Sequence, residues 1–176
     1  KLFYEELNSQ IDTFLHTTTK WLQTLDGLEY IHTENKEPKE LIRILDKKEI
    51  KTKTLFNLLE INYTLGSSYA HQSIGKIRKS LNHSHQKSFK LLKKGVKKIL
   101  KNFKQILIND IKQVMMKGKE YGEDIINLIQ DLPNHHYSTP ITPRTRSEMI
   151  ARTEMVRSFN NGVFQTYSNF GIEVFE

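Results

Sequence analysis

Residues 142–172 read T-P-R-T-R-S-E-M-I-A-R-T-E-M-V-R-S-F-N-N-G-V-F-Q-T-Y-S-N-F-G-I. Thr142 suits an N-cap, Pro143 the first helical position where a missing N–H costs nothing, and Gly171 a left-handed C-terminal stop. One long helix is the simplest reading of everything between. At roughly 100° per residue, Met149, Val156, Phe159, Val163, Tyr167 and Phe170 share one arc, which predicts a core-facing stripe. Arg152 falls inside that arc, and an arginine under apolar cover has to snorkel or be held by a carboxylate. Glu148, one turn earlier on the same side, is the expected partner, so Glu148 and Arg152 are the candidate ion pair.

The run Ile150-Ala151-Arg152-Thr153-Glu154, followed by Asn160, Gly162, Tyr167 and Gly171-Ile172, resembles the signature of the phage minor head protein family, the Mu F-like head morphogenesis proteins of tailed viruses. The likeness extends back to about Gln105, through the Gly118 turn and an amphipathic segment from Glu123 to Leu132. It implies a head-morphogenesis region over residues 105–176 that is C-terminally incomplete, which leaves residues 1–104 as an N-terminal helical region with a basic amphipathic helix. It also implies a structural virion component that acts in capsid assembly, associates with portal and capsid proteins in multiple copies, and influences DNA packaging or ejection. The expected location is the capsid interior or portal vertex, with host cytoplasm during assembly. Some relatives carry fused toxin-like transferases, and no such module fits in this chain.

The chain of 176 residues, 37% apolar and 27% charged, has enough apolar side chains for a core and too much charge for a membrane-embedded protein. No apolar run approaches the roughly 18–20 residues a membrane span needs. The lack of a starting Met suggests a fragment or a renumbered ordered portion. Zero cysteines excludes disulfides, thiolate metal sites and cysteine nucleophiles within it. The charge is concentrated. Between Ile61 and Asn109 there are eleven Lys/Arg and no Asp or Glu, leaving 16 basic against 20 acidic residues elsewhere, so the whole excess of +7 lies in that stretch.

The four prolines are Pro38, Pro133, Pro140 and Pro143, so helix is permitted throughout 39–132. From Lys1 to about Asp26, Leu7, Ile11, Phe14, Trp21, Leu25 and Leu28 recur by threes and fours with Thr18 in the gap, a seam ended by Gly27. After a polar loop, Pro38 opens a helix with Leu41, Ile42, Ile44 and Leu45 buried. A further apolar group follows at Leu55, Leu58, Leu59, Ile61 and Leu65, with a possible kink at Gly66-Ser67-Ser68. From Gln86 to about Lys117, Phe89, Leu92, Val96, Ile99, Leu100, Phe103, Ile106, Leu107 and Val114 take one side. Lys87, Lys90, Lys94, Lys97, Lys98 and Lys101 take the other. Gly118 and Gly122 break this helix, Glu123–Leu132 forms a short one, and Asn134–Thr142 is an exposed connector. Ile172-Glu173-Val174-Phe175-Glu176 alternates as a strand start. The fold class expected is mainly α: an elongated bundle of long amphipathic helices with a short C-terminal strand after Gly171.

Lysines spaced along a helix can neutralise duplex phosphates without reading sequence; they can also lie on an anionic membrane or merely be solvated. A stretch of 49 residues without acid favours a polyanion, and lysine in place of arginine or asparagine argues against base readout. Lys87, Lys90, Lys94, Lys97, Lys98 and Lys101 are therefore the candidate contacts to double-stranded DNA. The His83-Ser84-His85 and His135-His136 clusters lack metal-ligand spacing, so neither metal nor cofactor is expected. No nucleophile motif, phosphate loop or carboxylate pair is present, and no enzymatic activity is expected. Arg152 and Glu154, two apart on one helix, point about 200° from each other and cannot serve one substrate. Arg152 is read as holding the fold or an interface, with Glu154, Arg157 and Asn161 on the exposed side. The competing class is a helical protein that binds nucleic acid without sequence preference, or the non-catalytic part of a larger fused enzyme or toxin.

Overall fold

The computed structural model describes residues 1–33, 37–75, 83–121 and 123–172. Among these it is mainly α: α1 (Leu2–Leu22), α2 (Leu25–His32), α3 (Lys39–Lys47), α4 (Lys53–Ser73), α5 (His83–Tyr121), α6 (Ile125–Asp131), a 3-10 turn at Leu132–Asn134 and α7 (Pro143–Asn169). There is no strand among the described residues; residues 173–176, where one was expected, lie outside them, as do Gly122 and the basic residues at 76, 78 and 79. No described helix is long and apolar enough to cross a membrane.

The chain forms two compact units, and both are discontinuous in sequence. One comprises Lys1–Tyr4, Lys51–Ile99 and Met149–Glu176; the other comprises Glu5–Ile50 and Leu100–Glu148. The units are thus interleaved along the chain.

In the second unit the seam of α1 is buried at Leu7, Ile11, Phe14 and Trp21. Thr18 is fully buried among them, and its hydroxyl donates to the Phe14 carbonyl at 3.0 Å, which removes the cost of a polar group there. The seam stops earlier than the spacing suggests. Thr24 accepts from Gly27 N–H at 3.2 Å and caps a new helix, so Leu25 and Leu28 turn outward at 85% and 45% exposure. Gly27 lies inside α2, where a side chain would strike the Trp21 carbonyl oxygen; it is a glycine of close approach and not a helix stop. In α3, Leu41 and Leu45 are fully buried while Ile42 and Ile44 are half-buried.

Helix α5 runs through Gly118 without a break. The missing side chain makes room for α6, because a carbon added at Gly118 would sit 2.7 Å from Ile125 Cγ1. Asp124 caps α6 through the Ile126 and Asn127 N–H groups at 3.0 and 3.3 Å. Phe103, Leu107, Ile111, Val114 and Met115 on α5, and Ile125 and Ile129 on α6, are all buried.

Candidate functional site

The signature helix α7 begins and ends where the sequence places it. Thr142 Oγ1 accepts from Thr145 N–H at 3.1 Å, and Pro143 is the first helical residue. At the far end Gly171 has φ 67°; its N–H donates to Ser168 O at 3.1 Å and Ile172 N–H donates to Tyr167 O at 3.0 Å, a Schellman stop.

Between those ends the buried face is the opposite one. Ala151, Glu154, Ser158, Gly162 and Thr166, recurring by threes and fours, are buried; Met149, Val156 and Phe170 are 52%, 60% and 45% exposed, and Arg152 is exposed. Of the apolar arc expected to face the core, Met149, Val156 and Phe170 therefore face out while Phe159, Val163 and Tyr167 are half-buried, and the inward arginine is corrected to an outward one. Glu154, expected outside, is inside at 2% exposure.

The reason lies in α4. Its buried residues include Leu59, Tyr63, Gly66, Ser67 and Ala70, and α4 meets α7 at backbone distance. A side chain at Gly162 would strike the Tyr63 carbonyl oxygen, and one at Gly66 the Phe159 carbonyl oxygen. Ser158 Oγ donates to Leu59 O at 2.6 Å, Asn62 Nδ2 donates to Met155 O, and the Thr166 hydroxyl lies 2.9 Å from Ser67 Oγ. Only small residues permit such an approach, and their hydroxyls satisfy what they bury. The Gly66-Ser67-Ser68 run is accordingly the contact and not a kink; α4 is continuous through it. The same crossing leaves Ile61, Leu65 and Tyr69 outside at 55–58% exposure, although Ile61 and Leu65 read as core. A groove of about 490 Å³ lined by Asn57, Glu60, Ile61, Thr64, Leu65 and Ser68 runs along this outer face.

The signature thus divides in two. Gly162 builds the crossing with α4 and Ala151 and Glu154 are buried, whereas Arg152, Thr153 and Asn160 are exposed. Ile150, Glu148 and Tyr167 are half-buried, and the Tyr167 hydroxyl lies 2.8 Å from Ser73 Oγ. Glu154 Oε1 is 3.6 Å from Arg157, and its Oε2 has no hydrogen-bond partner among the described residues. Burial pushes its carboxyl above the usual range, opposed by the Arg157 charge.

On α5, Lys87, Lys90, Lys94, Lys97, Lys98 and Lys101 are all exposed, and Leu92, Val96, Leu100, Phe103, Leu107 and Val114 are buried, with Phe89, Ile99 and Ile106 half-buried. Lys93 points elsewhere: its ammonium sits 4.5 Å from the Phe89 ring centre and 3.9 Å from Glu60.

Of the histidines, His83 is exposed and His85 is buried with Nδ1 3.1 Å from the Tyr63 hydroxyl, a packing role. His135 and His136 are exposed, His135 Nδ1 lying 3.1 Å from Asp131 O. No three His, Asp or Glu side chains gather as metal ligands among the described residues.

One polar cluster had no place in the sequence reading. Asp110 on α5 is 1% exposed and accepts from Ser138 N–H at 2.8 Å and from Ser138 Oγ, while Arg146 donates to Ile141 O at 3.2 Å and to Thr139 Oγ1. The connector before α7 is therefore pinned, its residues 137–139 half-buried. The available signal was a lone acid on the apolar face of α5, beside Leu107 and Ile111. No family model, curated protein or solved structure matched the chain.

Proposed function

We propose that the chain is a structural, non-catalytic component of a tailed-virus head, a minor head protein that takes part in capsid assembly and meets the portal and the packaged DNA. The observation that carries this reading is the outer face of α7. There the exposed signature residues Arg152, Thr153 and Asn160 are interleaved with Met149, Val156 and Phe164, exposed by 52%, 60% and 42%. Large apolar side chains grouped with arginine on one face are typical of the centre of a protein–protein interface. The resemblance of Ile150–Glu154 and the residues downstream to the minor head signature supplies the class of partner. Multiple copies, a place inside the capsid or at the portal vertex, and residence in host cytoplasm during assembly follow from the same proposal.

The test is co-expression with the portal protein encoded nearest to this gene, followed by affinity capture of the portal. Retention of the chain, weakened by Val156→Ser with Phe164→Ser, is expected. A gene neighbourhood without portal or terminase, or capture indifferent to both substitutions, would sink the reading.

A further inference from the structure

The amphipathic first part of α5 poses a choice that sequence alone left open: a basic amphipathic helix can lie on a membrane, apolar face down, or on a polyanion, lysines down. An interfacial helix binds by inserting its apolar face among acyl chains, with lysines adding only electrostatic attraction. In this protein that face is already used. Leu92 is 6% exposed and Val96 is fully buried, packed inside the protein. What the helix still offers is a lysine face: Lys87, Lys90, Lys94 and Lys98, all exposed, lie within about 80° of the helix circumference and along about 16 Å of its axis, and exposed Lys101 continues the same arc. None of the four forms an ion pair among the described residues, and no acidic residue occurs from Ile61 to Asn109 to supply one. Leu91, 63% exposed, is the single large apolar side chain in the row.

We infer that the row Lys87, Lys90, Lys94 and Lys98 binds the phosphate backbone of duplex DNA by charge alone, without base contacts and without a hydrophobic share. This deepens the assembly reading and rests on it for the source of the DNA. The geometry suits one strand: phosphates recur about every 3.4 Å along a strand, so the row spans about five of them. Lysine ammonium groups are point charges on flexible stems, matched to phosphate and not to base edges. Lys93 takes no part, because the Phe89 ring and the Glu60 carboxylate already hold its ammonium.

Fluorescence anisotropy of a labelled duplex, titrated with the full chain at several salt concentrations, tests this. Four phosphate contacts predict a slope of log K against log salt of about −3.6, equal for AT-rich and GC-rich duplexes. Lys90→Gln with Lys94→Gln should reduce that slope by about 2, and Lys93→Gln should leave it nearly unchanged. Circular dichroism checks that these variants keep their helices.

The inference fails if duplex is not bound at low salt. It also fails if the double variant keeps the parental slope, or if phosphatidylserine–phosphatidylcholine vesicles bind more tightly than duplex at equal salt. Capture by the portal without duplex binding would overturn the lysine row and leave the assembly reading intact. The expected slope without portal capture would support the row and remove the assembly reading.

Discussion

Where α4 and α7 meet, Gly66, Ser67, Ser158, Gly162 and Thr166 are buried beside Leu59 and Tyr63; in the unit of α1 to α3, the second part of α5 and α6, the buried side chains are mostly Leu, Ile, Phe, Val and Met, with Trp21 and Tyr30. The aliphatic core is held by the area its side chains remove from water, about 1.5–3 kcal/mol for each large one. The α4–α7 crossing buries little side chain. It is held by backbones in contact and by hydroxyls that satisfy carbonyls, as Ser158 does for Leu59. The aliphatic core therefore suffers from loss of volume, and the α4–α7 crossing from any gain.

The sharpest way to break this contrast is to add one carbon at Gly162 and remove three at Leu107. Leu107→Ala should cost about 2–5 kcal/mol through lost burial and a cavity. Gly162→Ala should cost about 3 kcal/mol even though it adds only a methyl, because the carbonyl of Tyr63 occupies that space and the helices have to part. Urea denaturation of both variants measures this. A Gly162→Ala protein within about 0.5 kcal/mol of the parent would mean that the crossing is looser than its geometry.

Those same particulars explain what the sequence could tell. Thr142, Pro143 and Gly171 were legible because caps are set by local backbone chemistry, and the faces of α5 because lysine and leucine agree on which side is wet. Residue type alone points the apolar arc of α7 inward, while the true inner face is a small-residue stripe whose meaning depends on Gly66 and Ser67, nearly a hundred residues away. A stripe of Ala, Ser, Gly and Thr at spacings of four was visible and would have been the clue. Asp110 was passed over for the opposite reason: an acid on an apolar face has no local partner, and Ser138 becomes one only when the connector folds over it.

Glu154 is the polar residue on which the tight crossing and the charge balance meet. Its folded carboxyl titrates above the usual value because burial disfavours the anion. The native state thus holds the proton more firmly than the unfolded chain. Below the usual carboxylate pKa both states are protonated and Glu154 imposes no penalty; as pH rises through the raised folded value the carboxylate has to ionise in place and stability falls. Glu154→Gln should therefore raise stability at neutral pH by about 1 kcal/mol, with the gain vanishing in acid. A gain that persists unchanged in acid would assign it to packing instead. Arg157→Ala should in turn cost about 1 kcal/mol by removing the cation 3.6 Å from that carboxylate, and Arg152→Ala, on the outer face, less than Arg157→Ala. The reverse order would restore an inward role for Arg152.

The smallest effect is expected on the outer arc, and it separates the two faces most cleanly. Val156 looks like core by residue type and is 60% exposed, so Val156→Ser removes almost no buried area. Its unfolding free energy should stay within about 0.5 kcal/mol of the parent, whereas the same loss of apolar character at buried Val96 should cost several times more. Thermal melts of the two serine variants side by side make the comparison. If Val156→Ser melts as early as Val96→Ser, the arc is covered within this chain and there is no open face to dock. If only Val96→Ser is weakened, Val156 does not serve folding, and the outer face that it shares with Met149 and Phe164 is free to meet another molecule.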